Sequence, residues 1–294
     1  MLRIVSIILI SILSLTNLHA QRKPVAAVAA IMGGGGEDKG GGGKKGFQTV
    51  TASKILQIKI PEGGANAAAV VYHPKEKLYY AAQCGNESFP LVIFDADGTI
   101  VSGAEQATLI DIRGLWYNPD TRKISGNGYK EFGWFTYELD RKGLPETIDV
   151  FKKGRYQPDD HSPGVLNTDD NEVLFLDGLN IVCYTTEGVA KRKTIQIHIG
   201  SKNEEEASGI SATMFEEKYN TRSLIYTGDA GAEIGLLNAT KKQVELYNIK
   251  TGYMTKVVKL SLNFKPETYF NFSYADGIYW FFNKETRYWH GLRE

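Results

Sequence analysis

The sequence predicts an all-β protein of repeated four-stranded units, a β-propeller, and three observations carry that expectation. Short runs rich in Val, Ile, Tyr and Phe, bounded by Pro, Gly, Asp or Asn, recur from Ala69 onward. A turn that closes on glycine after an aromatic recurs four times, and no helical periodicity interrupts residues 47–294. The units begin about 45 to 60 residues apart, a period that suits propeller blades.

Each unit offers strands a to d. Strand a is expected at Ala69–Tyr72, Gly114–Tyr117, Gly164–Leu166, Ile210–Phe215 and Phe270–Tyr274, each followed by a polar turn. Strand b follows at Leu78, Lys123, Glu172, Ser223 and Ile278; most of these runs are apolar throughout and read as buried on both faces. Strand c begins at Leu91, Trp134, Asn180 and Gln243. Each copy reaches an aromatic (Phe94, Tyr137, Tyr184, Tyr247) and then a turn ending at Gly98, Gly143, Gly188 or Gly252. Glycine there supplies the positive φ that a tight hairpin needs. The last strand c is Arg287–Leu292. Strand d, alternating as a half-exposed edge should, is expected from Ala107, Thr147, Lys193 and Thr255.

The fifth unit lacks a strand d, and Ser53–Ile60 has the pattern of one with no unit ahead of it. The expected architecture is therefore five blades, with the ring closed by pairing the N-terminal strand onto the C-terminal blade. The segment Gly228–Lys242 reads as an insertion in the fourth unit. If Glu233–Asn238 is a strand of its own, a sixth blade is the alternative.

The chain has 294 residues, 42% of them hydrophobic and 11% aromatic, enough for a sizeable core, and its formal net charge is zero. That balance argues against an electrostatic footprint for nucleic acid or an anionic membrane. Residues 1–20 read as a secretory signal: Arg3, the apolar run Ile4–Leu15, then Leu18-His19-Ala20 before Gln21. The apolar run falls short of the about 20 residues of a membrane span, so no stable insertion is expected after cleavage, and the protein is expected to be exported, periplasmic or secreted. Residues 21–46, with two runs of four glycines, read as a flexible linker; they lack the spacing of a phosphate loop. Cys84 and Cys183 fall on strands of different blades, so two free, buried thiols are expected.

The Tyr-x-Pro hairpins (Tyr72 and Pro74, Tyr117 and Pro119) and the aromatic-to-glycine turns resemble those of exported bacterial propellers with YVTN- or NHL-type repeats, across residues 53–294. The YVTN tetrad itself is absent. The resemblance implies the fold and no activity.

In a propeller the d–a and b–c connections share one face around the central channel, where a rigid ring can carry variable loops. On that face the register places candidate ligand-binding residues Asn66, Arg113, Tyr129, Trp134, Asp160, His161, Asp177, Asp229, Tyr269 and Asn283, together with Asn86, Glu87, Asp159, Glu206 and Ser208. Trp134 is the expected stacking residue; Trp116, Trp280 and Trp289 read as core. The opposite face carries Lys75, Asp97, Asp120, Asp169, Asp170 and Lys250, which read as solvated turn residues. No nucleophile elbow, metalloprotease or dinucleotide motif is present. The favoured expectation is a binding or scaffolding module for a protein or glycan, without a cofactor, with Ca²⁺ held by loop oxygens as an alternative. The other is a glycan- or lactone-acting hydrolase using Asp160, His161, Asp177 and Asp229. It requires Asp160, Asp177 and Asp229 to converge within about 5–10 Å.

Overall fold

The structure, a computed structural model, describes residues 48–60, 66–85, 91–103, 105–203, 205 and 209–294. The expected signal at 1–20, the linker at 21–46, and Asn86, Glu87, Glu206 and Ser208 lie outside the described residues.

The described chain is all-β apart from two short helices. Strands β2 (Asn66–His73), β3 (Leu78–Cys84) and β4 (Val92–Phe94) form a three-stranded antiparallel sheet. Strands β5 (Ile112–Asn118), β6 (Lys123–Gly128), β7 (Trp134–Leu139) and β8 (Pro145–Lys152) form a four-stranded one. A second four-stranded sheet holds β9 (Val165–Asn167), β10 (Glu172–Asp177), β11 (Asn180–Thr185) and β12 (Ala190–Gln196). Strands β13 (Tyr219–Tyr226), β14 (Ile234–Asn238), β15 (Gln243–Tyr247) and β16 (Met254–Leu260) follow, and then β17 (Phe272–Ala275), β18 (Ile278–Asn283) and β19 (Tyr288–Arg293). These last seven strands join β1 (Gln48–Lys59) in one eight-stranded sheet ordered β13-β14-β15-β16-β1-β19-β18-β17.

Strand β1 makes that join. Its first half runs parallel to β16, with Gln48 opposite Lys256 and Ala52 opposite Leu260. Its second half runs antiparallel to β19, with Ser53 opposite Arg293 and Lys59 opposite Tyr288. Ala52 and Ile58 are buried by this double pairing. The first strands of the units also meet side by side: β2 touches β5 and β17, β5 touches β9, and β13 touches β9 and β17. Buried amides stitch these neighbours. Asn127 donates to the Ser162 carbonyl at 2.9 Å and accepts from the Gly164 amide at 2.9 Å. Asn220 donates to the Phe270 carbonyl at 2.6 Å, and the Ser273 hydroxyl to the Val70 carbonyl at 2.8 Å.

The four c–d glycines adopt the expected positive φ: 83° at Gly98, 78° at Gly143, 73° at Gly188 and 70° at Gly252. Cys84 and Cys183 are free and buried. Burial pushes the two thiols up, to about 12 and about 11.

Two expected strands are not there. Ile210–Phe215 is not a strand a; Ala212–Lys218 forms helix α1 instead. The Ser211 side chain caps it by accepting from the Met214 amide at 3.2 Å, and its one buried side chain, Phe215, stacks on Tyr219 at 5.4 Å. The fourth unit is thus shifted by one strand: the run at Ser223 belongs to the first strand, β13, and the supposed insertion supplies the second, β14. In the first unit the run from Ala107 forms no strand beside β4. There Leu91 donates to the Gln106 carbonyl at 2.9 Å and Phe94 bridges Ile100, which closes the edge of the sheet by a loop.

Candidate functional site

Arginine, tyrosine and histidine side chains from separate units meet where the chain enters the first strands. Arg113, at the start of β5, is 3% exposed and pairs with Asp111 at 2.6 Å. Its guanidinium lies over the ring of Tyr129 at 4.5 Å and that of Phe270 at 5.6 Å. His161 packs against Tyr129 at 4.9 Å, Phe270 at 5.8 Å and Tyr269 at 5.9 Å. Arg222, from β13, covers Tyr269 at 5.1 Å and pairs with Asp159 at 3.3 Å, while Asp160 pairs with Arg155 at 3.0 Å.

Sequence and local geometry explain the loop that presents His161. Asp159 accepts from the His161 amide at 2.9 Å, and the Ser162 hydroxyl accepts from the Asp159 amide at 3.2 Å. This is the backbone capping that Asp and Ser provide after a proline. Burial, with Arg113 next in strength, holds His161 below the usual imidazole value, against the opposing pull of Asp159. The ring is therefore neutral at pH 7. Three arginines face three aspartates, so the cluster is balanced in charge.

The balance leaves polar atoms unmatched. Arg113 Nε, Arg222 Nε and His161 Nδ1 are buried with no hydrogen-bond partner in the structure. Such an atom costs about 1–3 kcal/mol unless water or a ligand meets it.

Of the ten residues expected on this face, Arg113, Tyr129, Asp160, His161 and Tyr269 come together. Asn66 adjoins them, since the Ala67 amide is shared between Asn66 Oδ1 at 3.0 Å and Asn271 Oδ1 at 3.3 Å. Asn283 is spent on its own turn, accepting from Glu285 and Thr286 at 3.0 and 3.2 Å. Asp177 is exposed at the β10–β11 hairpin. Trp134 is no stacking platform: it is fully buried against Trp116 at 5.3 Å and Phe175 at 5.8 Å. Asp229 lies in the β13–β14 turn, at the far end of β13 from Arg222, because of the shifted register of the fourth unit. Asp229 is thus at the other end of β13 from the Arg222 that pairs with Asp159 beside Asp160. Among the described residues no group of three His, Cys, Asp or Glu side chains is arranged to hold a metal.

The far ends of the first strands enclose a cavity of about 290 Å³, lined by residues of β2, β5, β9, β13 and β17 and of the turns after them. Its aromatic lining (Tyr72, Trp116, Tyr117, Tyr226, Tyr274) comes from four strands. The exposed charges of the same face, Lys75, Asp97, Asp120, Asp169, Asp170 and Lys250, are the expected solvated turns. The repeat pattern by itself does not mark the space between them. One signal was legible: Arg113 and Arg222 each stand four residues before an aromatic of this lining, Tyr117 and Tyr226. Four extended residues span about 13 Å, so each strand carries an arginine at one mouth and a tyrosine at the other.

No family model matches the chain, and no curated protein does. Among solved structures, a glutaminyl cyclase from Myxococcus xanthus is 13% identical with a TM-score of 0.52, over 84% of this chain and 98% of that one. A Bacteroides thetaiotaomicron VPI-5482 protein of unknown function is 10% identical with a TM-score of 0.47, over 84% of this chain and 73% of that one. A chain of a nidogen/laminin complex is 12% identical with a TM-score of 0.40, over 74% and 72%. The first of these supports a propeller-type fold for this chain and, at that identity, the fold alone.

Proposed function

We propose that the protein is an exported binding module of the bacterial envelope, whose five units form a ring closed by β1 and hold a neutral, hydroxyl-rich ligand of the glycan class at the Arg113–His161–Tyr269 mouth. The cyclic contact of β2, β5, β9, β13 and β17 supports the five-fold ring. One observation carries the ligand class: balanced charge combined with orphaned polar atoms. Arg113 Nε and Arg222 Nε are donors, and the neutral ring of His161 leaves Nδ1 free to serve as either. A sugar hydroxyl both donates and accepts, and brings no charge to upset three matched ion pairs. Tyr129 and Tyr269 supply aromatic surface beside them. The hydrolase alternative is the weaker reading, because Asp229 lies in the β13–β14 turn away from the Asp160–His161 loop.

The test is a thermal-shift series on the purified protein with neutral oligosaccharides, with Ca²⁺ and EDTA as separate arms. A ligand that binds only the folded state raises the midpoint by mass action. The expected result is a rise with a neutral glycan that Tyr269→Ala removes, with no response to Ca²⁺ or EDTA. A response to Ca²⁺ alone, or a glycan response that survives Tyr269→Ala, would overturn the assignment.

A further inference from the structure

The two mouths of the channel differ in charge, and the difference selects a second ligand. At the Arg113 mouth every aspartate has its arginine. The 290 Å³ cavity at the other end has five aromatic side chains in its lining, a single charged one, Asp276, and no cation. Its rim adds carboxylates. Asp169 follows the lining residue Thr168 and takes a hydrogen bond from Tyr226, and Asp229 follows the lining residue Gly228. Neither Asp169 nor Asp229 has an ion-pair partner among the described residues. Against these three carboxylates stands Arg293, half-exposed and 3.9 Å from Asp276; Glu294, the next acid, is already paired with Lys256 at 2.5 Å. Burial, followed by Asp229, Glu294 and Asp276, pushes the Tyr274 hydroxyl up to about 12.

We propose that this cavity binds a small organic cation, an alkylammonium group, against Tyr72, Trp116, Tyr117, Tyr226 and Tyr274 with Asp276 as its counter-charge. Aromatic faces attract an ammonium by their quadrupole, best where water is excluded. The volume is just below the common range for drug-sized ligands and admits a single head group. An anion meets two unpaired carboxylates here and one arginine, Arg293, already engaged with Asp276 and its carbonyl, and a neutral sugar gains nothing from the unmatched charge. The ammonium has two sources, a free quaternary amine or the side chain of a lysine on another protein, and both present the same chemistry.

Calorimetric titration of the purified protein tests this with choline, with N-acetyl-lysine amide, and with 3,3-dimethylbutan-1-ol, the neutral isostere of choline. Choline is expected to bind at least tenfold more tightly than the alcohol. Asp276→Asn should weaken it several-fold, and Tyr274→Leu more. Asp276 is an exposed turn residue, so the Asn variant is expected to fold even where the Leu variant does not. Tighter binding of the lysine amide than of choline assigns the site to a protein side chain, and the reverse assigns it to a free amine. Equal affinity for choline and the alcohol, no binding of either cation, or choline binding untouched by Asp276→Asn overturns the proposal. The glycan response at the other mouth is independent of all these outcomes.

Discussion

His161 shows how burial and chemistry are linked at one residue. Its folded-state value is depressed, first by burial and then by Arg113. The unfolded chain takes up a proton near the ordinary value of about 6.5, which the folded ring resists. Its stabilising contribution is therefore complete above about pH 6.5 and is lost as pH falls through the lower folded value. His290, depressed by burial and by Lys54, acts in the same direction. Melting midpoints at pH 5 and pH 7.5 should differ, and His161→Gln should narrow the difference; an unchanged difference would show that the ring titrates freely. Trp134 gives a second prediction. Its indole is fully enclosed, so Trp134→Phe should lower the melting midpoint while any glycan response survives. At this scale the sequence was a fair guide where a loop residue had few other uses, as with His161 and Tyr269. It failed at Arg155 and Arg222. Arg222 was hidden in a supposed hairpin turn because the strand around it had been placed one element too late.

The cause of that error belongs to the next scale. The run Ile210–Phe215 has apolar residues enough for a strand, yet Ser211 and the helix-favouring Ala212–Lys218 close a turn of helix over it. A cap three residues from a free amide is a local signal, and it outweighed the repeat. The repeat in turn predicted the glycines well, because positive φ is a requirement that few other residues meet. Strand β1 was legible from its alternation alone, but only its pairing with β19 was foreseen. Its parallel pairing with β16 has no pattern of its own, since one edge strand looks much like another. Ile58 is buried where β1 meets β19. Ile58→Ala should cost about 2–5 kcal/mol in denaturant unfolding. A loss below about 0.5 kcal/mol, the range of an exposed surface site, would mean that β1 contributes little to the fold.

For the molecule as a whole, stability depends on contacts between units as much as on those inside them. Asn127 is fully buried and ties β6 to the approach of β9 with both of its polar atoms. Asn127→Leu leaves a carbonyl and an amide unmatched and should cost about 2 kcal/mol or more. Because the lost bonds join two sheets, the expected result is a single transition at a lower midpoint. A calorimetric trace that splits in two would show instead that the sheets melt separately. The junction at β1 has a consequence for how such a molecule is made. Lys59 donates to the Thr286 carbonyl, 227 positions away. The half of β1 that pairs with β19 must stay unpaired until that last strand exists, and contacts that distant are slow to form. A chain that cannot finish folding until it is complete remains threadable in the meantime, the state that passage through a translocation pore would require under the export proposed above.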